Sequence, residues 1–236
     1  MPTVTRTDKQ ALLATTPLFA PLAPGDLEAL AGVATSLRLE TRKELFHKGD
    51  PGSQVYLVVD GRLKVLATSV LGDDVVFNVI TPGEVIGEVA LLTGSPRTAT
   101  IVAMEPCELI VIDRRDFLAF LRSHAEAAVA LLEILALRLK GVSELVEDTQ
   151  FLNLPLRLAK KLSAFAREHG EETQDGVRIN LKMSQEEWGD LVGATRESIN
   201  KQLRGWIQQG VISVEKGYVT IHRFDELERL TQQVFL

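Results

Sequence analysis

From Pro82 to Thr100 the chain holds the parts of an anion cradle. Gly87 and Gly94 permit a positive φ or a close approach of backbone to a ligand. Between them Val89 to Leu92 is long enough for one helical turn. The free N–H groups at the start of such a turn, on Val89 and Ala90, favour a phosphate together with the turn's dipole. Arg97 offers a guanidinium fork to phosphate oxygens, and Thr98 adds a hydroxyl donor. Glu88 would repel the same anion, so its chemistry is that of an acceptor for a donor group such as a sugar hydroxyl. The competing reading is a β-turn–helix corner with a surface arginine.

A second constellation lies near the end of the chain. Ser184 with Glu187 forms a capping box that starts a helix over 185–192. Gly193, Ala194 and Thr195 make a tight turn, with Thr195 as the next cap, and a second helix is predicted over 196–206. This is helix-turn-helix spacing. Trp188, Leu191, Val192, Ile199, Leu203 and Trp206 supply its core. Two short strands, 211–214 and 218–221, flank Glu215, Lys216 and Gly217 as a hairpin wing. An amphipathic helix over 224–234 follows.

The first stretch resembles the phosphate-binding cassette of cyclic-nucleotide-binding domains, through Gly87-Glu88, Ala90-Leu91-Leu92, Gly94 and Pro96-Arg97-Thr98-Ala99-Thr100. The resemblance implies that Arg97 binds the cyclic phosphate, Thr98 adds contacts and Glu88 takes the ribose 2′-hydroxyl. Gly193 to Lys201 resembles the recognition helix of the cyclic AMP receptor protein family, and the likeness covers nearly the whole chain. It places Arg138 near the phosphate and Ser143 where a serine of the partner subunit touches adenine. Val142 departs from the pattern, since the best-known members carry a threonine there that reads the adenine amino group. Valine has neither donor nor acceptor, which weakens the case for cyclic AMP specificity. The DNA contacts fall on Ser184, Thr195, Arg196, Glu197, Ser198, Asn200 and Lys201. Arg196 suits a bidentate contact with guanine and Glu197 a cytosine amino group. Lys201 stands where the best-known members have arginine, so its contact with guanine is less directional.

The 236 residues suit one or two domains, and 45% apolar content can fill real cores. The net charge of −6 is unpromising for a nucleic-acid binder, but it is unevenly spread. Residues 1–152 hold 14 Lys and Arg against 20 Asp and Glu, whereas residues 153–236 hold 12 of each. A local basic face is therefore open to the last part. No apolar run approaches the ~18 residues of a membrane span. The first ten residues lack a signal-peptide apolar region. The one cysteine, Cys107, excludes an internal disulfide framework and reads as a small buried thiol. There is no Walker loop, no His-Glu-x-x-His and no paired-cysteine metal site. His47, His124, His169 and His222 are scattered, so neither an enzyme nor a metal protein is expected.

The elements that position the two constellations are legible in outline. Residues 8–35 read as helical, with Leu12, Leu13, Leu18, Leu22, Leu27, Leu30 and Val33 apolar and Pro17, Pro21 and Pro24 breaking the run. From Leu37 to about Ile112 come short β-rich runs: 45–46, 54–59, 62–66, 74–80 and 107–112. Asp60-Gly61 signals a hairpin, and residues 49–52, 71–74 and 81–83 mark further turns. Such a series predicts a small barrel or jelly roll. Asp113 is a good N-cap for a helix over 113–122. A longer helix over about 126–151 carries Leu131, Ile134, Leu135, Leu137, Leu139, Val142, Leu145 and Val146 as a stripe. That stripe reads as a two-helix dimer seam or as packing along its own domain. Asn153 and Pro155 start a new helix after a hinge at 152–155, running to about Glu168. A polar loop over 169–176 and a short strand over 177–181 follow.

The expected architecture is α+β: a cyclic-nucleotide-binding β-roll (jelly roll), a long dimerisation helix and a C-terminal winged helix-turn-helix. The expected domains are 1–123, 124–152 and 153–236. The resemblance implies a cytoplasmic homodimeric transcription regulator that takes cyclic AMP or another cyclic nucleotide and no metal. It binds a pseudo-palindromic double-stranded DNA site, works with RNA polymerase and does not engage a membrane. The alternatives are cyclic di-GMP or no nucleotide as effector, and a sensing module that regulates a partner protein.

Overall fold

In the computed structural model, which describes residues 6–68 and 74–232, the β-rich middle of the chain forms two four-stranded antiparallel sheets. Its strands are β1 (Thr35–Leu39), β2 (Glu44–Phe46), β3 (Gln54–Asp60), β4 (Leu63–Thr68), β5 (Asp74–Ile80), β6 (Val85–Ile86), β7 (Thr100–Ala103) and β8 (Cys107–Asp113). One sheet runs β1-β8-β3-β6 and the other β2-β7-β4-β5. Alternation divides the first sheet's side chains between two cores. Tyr56, Val58, Leu109 and Val111 join Leu63, Ile80 and Ile101 of the second sheet. Val55, Leu57, Ile110 and Ile112 face the opposite way, toward Leu13, Phe117, Phe120 and Leu131 of the helices. Burial on both faces is why β3 and β8 read as nearly unbroken apolar runs.

The Asp60-Gly61 expectation needs correction. β3 and β4 belong to different sheets and do not pair, so the turn carries the chain from one sheet to the other. Gly61 has φ 82°, and a Cβ there would lie 2.4 Å from the Pro106 carbonyl oxygen. The dipeptide signalled a need for positive φ, not strand pairing. β4 pairs antiparallel with β5 instead, from Leu63↔Ile80 to Thr68↔Asp74, with a register shift between Val65 and Leu66. The turn predicted at 71–74 lies outside the described residues apart from Asp74, the first residue of β5.

Four helices accompany the sheets: α1 (Arg6–Thr15), α2 (Pro24–Val33), α3 (Glu88–Thr93) and α4 (Arg114–Ser123). Pro24 starts α2 rather than breaking it, as its fixed φ and missing N–H allow. Val33, an apolar position of that stretch, is 49% exposed. Asp113 stands at the N-cap of α4 but makes no capping bond. Its carboxylate accepts from Gln54 Nε2 at 2.9 Å instead.

The long helix α5 covers Ala125–Phe151. The chain divides within it into two compact units, Met1–Lys140 and Gly141–Leu236. In the first unit the apolar stripe separates into two faces. Ala127, Ala130, Leu131, Ile134 and Leu135 pack inward on the helical core. Val129, Leu132, Leu137 and Leu139 are exposed. Leu131 is fully taken up by this core, while Ile134 and Leu135 are only partly buried against it.

The second unit contains α6 (Leu154–His169), β9 (Gly170–Thr173), β10 (Gly176–Ile179), α7 (Gln185–Val192), α8 (Arg196–Gln208), β11 (Ile212–Glu215), β12 (Tyr218–Ile221) and α9 (Phe224–Gln232). The Asn153 side chain accepts from Leu156 N at 3.2 Å and so caps α6. The strands form one antiparallel sheet, β11-β12-β10-β9. The polar stretch predicted as a loop includes β9, whose four residues are all exposed. An edge strand without an inward face leaves no apolar alternation in the sequence. Trp188, Ile199, Leu203 and Trp206 are buried, and Phe165 meets the Trp188 ring edge-on at 5.4 Å.

Candidate functional site

The cassette is a strand, a left-handed glycine and a short helix. Gly87 follows β6 with φ 86° and caps α3 without a side chain. A Cβ at Gly87 would lie 2.5 Å from Arg97 Nη1 and 3.0 Å from the Gln54 carbonyl oxygen. The position therefore needs glycine for space as well as for φ. Gly94 ends the helix with φ 71°. Gly52, which the sequence reading placed only in a turn, lies under the same helix. A Cβ there would come within 2.4 Å of the Ala90 Cβ.

Arg97 is 4% exposed. Its Nη1 donates to the Gly87 carbonyl at 2.9 Å and its Nη2 to the Gln54 carbonyl at 2.8 Å. Its Nε is buried without a partner. Burial pushes the guanidinium below its ordinary pKa, while Tyr56, Glu88 and Asp50 pull it back up. A buried cation that makes no direct hydrogen bond to a carboxylate among the described residues, with its Nε–H unpartnered, is matched to an incoming anion. This is the arrangement a phosphate would satisfy.

Glu88 is 3% exposed, and it is paired. Arg138 Nη1 lies 2.5 Å from Glu88 Oε1, and Arg138 Nη2 donates to the Val85 carbonyl at 2.6 Å. Arg138 is thus brought to the cassette, but onto the carboxylate and β6. Ala90 is buried, whereas Val89 and Thr98 are exposed. Val142 and Ser143 are exposed on the part of α5 that belongs to the second unit.

In the second unit the capping box forms as expected. Ser184 Oγ accepts from Glu187 N at 3.2 Å, and Glu187 Oε2 accepts from Ser184 N at 2.7 Å. Thr195 Oγ1 accepts from Ser198 N at 3.2 Å and lies 2.9 Å from Ser198 Oγ. Three of the residues assigned to DNA therefore first shape the two helix starts. Asn200 Oδ1 accepts from Gln185 Nε2 at 3.4 Å, linking α8 to α7. Arg196, Glu197 and Lys201 are exposed on α8, as is Arg204. Arg204 escaped the sequence reading, although its i+8 spacing from Arg196 puts both on one helix face. Gly189 was missed too. A Cβ there would stand 2.5 Å from the Ala194 carbonyl oxygen, so it sets how closely the inter-helix turn packs.

Among the described residues no helix is long and apolar enough to cross a membrane, and no cluster of three His, Cys, Asp or Glu side chains could hold a metal ion. Cys107 is buried and burial raises its thiol pKa, as suits an inert core thiol.

Residues 36–124 match the cyclic nucleotide-binding domain family, and residues 156–230 match the Crp-like helix-turn-helix domain family. The chain is similar to the CRP-like cAMP-activated global transcriptional regulator of Mycobacterium tuberculosis, with 27% identity over 92% of this chain and 97% of the relative. It is 28% identical to the cyclic AMP receptor protein of Thermus thermophilus over 91% of this chain and 96% of that one. In fold it resembles a CooA mutant from Carboxydothermus hydrogenoformans, with TM-score 0.75 and 19% identity over 85% of this chain and 88% of the other.

Proposed function

Because the chain belongs to the CRP/FNR family of DNA-binding transcription regulators, with a cyclic nucleotide-binding domain ahead of a Crp-like helix-turn-helix, we propose that it is a homodimer gated by cyclic AMP. DNA binding and a regulatory rather than enzymatic role come with the membership. Effector, assembly and gating are the proposal. The observation that carries it is the buried Arg97 guanidinium with its unpartnered Nε.

In this reading Arg97 and the first-turn N–H groups of α3 hold the cyclic phosphate, with Thr98 at the rim. Glu88, oriented by Arg138, accepts from the ribose 2′-hydroxyl. Ser143 of the partner subunit and Val142 meet the base. The exposed apolar residues of α5 pair the subunits, and the hinge at 152–155 redirects the two α8 helices. A ligand drives such a change only by binding one arrangement more tightly than the other.

Calorimetric titration of the full chain with cyclic AMP, cyclic GMP and cyclic di-GMP tests the effector. Saturable binding of cyclic AMP supports the proposal. Binding of cyclic di-GMP alone, which the apolar Val142 leaves room for, would replace the effector. No binding by any of the three would remove nucleotide gating. Salt-dependent binding to a pseudo-palindromic duplex, with and without nucleotide, tests the gating itself.

A further inference from the structure

Two aromatic rings bear on the one arginine that the cradle depends on. The Arg97 guanidinium carbon lies 4.1 Å from the Phe46 ring centre and 5.6 Å from that of Tyr56. The two rings are 5.8 Å apart, so they meet the guanidinium from adjoining sides rather than sandwiching it. Phe46 comes from β2 in one sheet and Tyr56 from β3 in the other. The Tyr56 hydroxyl donates to Gln54 Oε1 at 3.1 Å, and Gln54 Nε2 donates to Asp113 at 2.9 Å. Gln54 also supplies the carbonyl that receives Arg97 Nη2.

We propose that Phe46 and Tyr56 are positioning residues for Arg97, a role that rests on the nucleotide reading above. The π faces offset part of the cost of desolvating the guanidinium while supplying no counter-charge. The carbonyls of Gly87 and Gln54 fix its plane. Together they hold the side chain in one rotamer with Nε free, so little conformational freedom is lost when an anion arrives. An acidic residue in place of Phe46 would neutralise the cation and compete with the phosphate. An aliphatic residue would fill the space without holding the charge.

The test is a double-mutant cycle on the full chain, read by calorimetry, with the tightest-binding of the three cyclic nucleotides as probe. Phe46→Leu should bind about five- to thirtyfold more weakly, the range of a partly desolvated cation–π contact. Phe46→Tyr, which keeps a π face, should stay within about twofold of wild type. In an Arg97→Ala background Phe46→Leu should cost nothing further, because the group it acts through is gone. An equal loss in both backgrounds would show a merely structural role and overturn the proposal, as would an unchanged affinity of Phe46→Leu. Should Phe46→Leu fail to fold, Phe46→Met gives the same cycle. If the wild-type protein binds none of the three nucleotides, the nucleotide reading fails and this one with it. Wild-type binding with an indifferent Phe46 overturns this one alone.

Discussion

Arg138 reaches from α5 to Glu88 at the start of α3, with Nη1 2.5 Å from Oε1. The carboxylate it meets is almost fully buried, while Arg138 itself keeps 26% of its side-chain surface. A buried carboxylate stripped of its partner is costly, whereas removing both partners costs less. Arg138→Met should therefore lower the stability of the first unit by about 2 kcal/mol, discounted from a fully buried pair for the solvent at Arg138. The Glu88→Gln/Arg138→Met double variant should recover part of that loss. Urea unfolding of the four proteins reads the coupling, and strictly additive losses would mean that the two side chains act independently.

The two faces of α5 separate two predictions that the sequence stripe merged. Leu132 and Leu139 are 65% and 68% exposed. Leu132→Glu with Leu139→Glu should give a stably folded monomer by sedimentation. Leu135 is partly buried against the helical core, so Leu135→Glu should cost about 1–2 kcal/mol of stability through lost apolar packing and a half-desolvated charge. A double variant that stays dimeric would place the seam elsewhere.

Val142 lacks any group to pair with a base amino group. Discrimination between cyclic AMP and cyclic GMP should therefore fall well short of the ~10⁴-fold that a site built to hydrogen-bond its substrate reaches. Val142→Thr should widen it. A wild-type preference above about 10³-fold by competition titration would count against a base contact at this position.

His124 predicts a pH dependence. Its Nδ1 lies 2.9 Å from the Phe120 carbonyl oxygen and 3.0 Å from Ser123 Oγ. Its Nε2 is 3.3 Å from the Asp26 carboxylate on α2. The Phe120 carbonyl, and after it Asp26, raise its pKa above 6.5 against the pull of desolvation. Folding thus favours the protonated ring. The stabilisation is complete below pH 6.5 and is lost as pH rises through the raised value. The melting temperature should fall over that window in the wild type. The His124 contribution to that fall should vanish in His124→Asn, and identical pH profiles would refute the linkage.

On α8, Arg196 and Lys201 should show different signatures. Arg196→Ala should cost roughly 1–3 kcal/mol per contact and relax the choice of one guanine in each half-site, with half-sites about one helical turn apart. Lys201→Ala, if it loses a phosphate contact, should weaken all sequences alike and reduce the salt slope by about 1 per subunit. Site selection with wild type and Arg196→Ala decides this. Equal enrichment of one half-site by both would mean that Arg196 reads no base.

Local chemistry determined much of this protein from sequence alone. The capping box of Ser184 and Glu187, the left-handed turns at Gly87 and Gly94 and the start of α6 at Asn153 each depend on residues within a few positions of one another. Their φ preferences and capping groups were therefore visible in one dimension. The short, nearly unbroken apolar runs of β3 and β8, bounded by turn residues, likewise announced strands. What only the tertiary structure decided involves partners far apart in the chain. Asp60-Gly61 could not say which sheet the next strand would join, since pairing is chosen by distant strands. The α5 stripe could not say which leucines already had a core, because that core comes from α1, α4 and the first sheet. Nor could the cassette motif show that Arg97 would rest on Phe46 and Tyr56, or that Arg138 would take the Glu88 carboxylate. Those contacts span 40 or more residues, and they exist only because folding gathers distant strands and helices into one small buried volume.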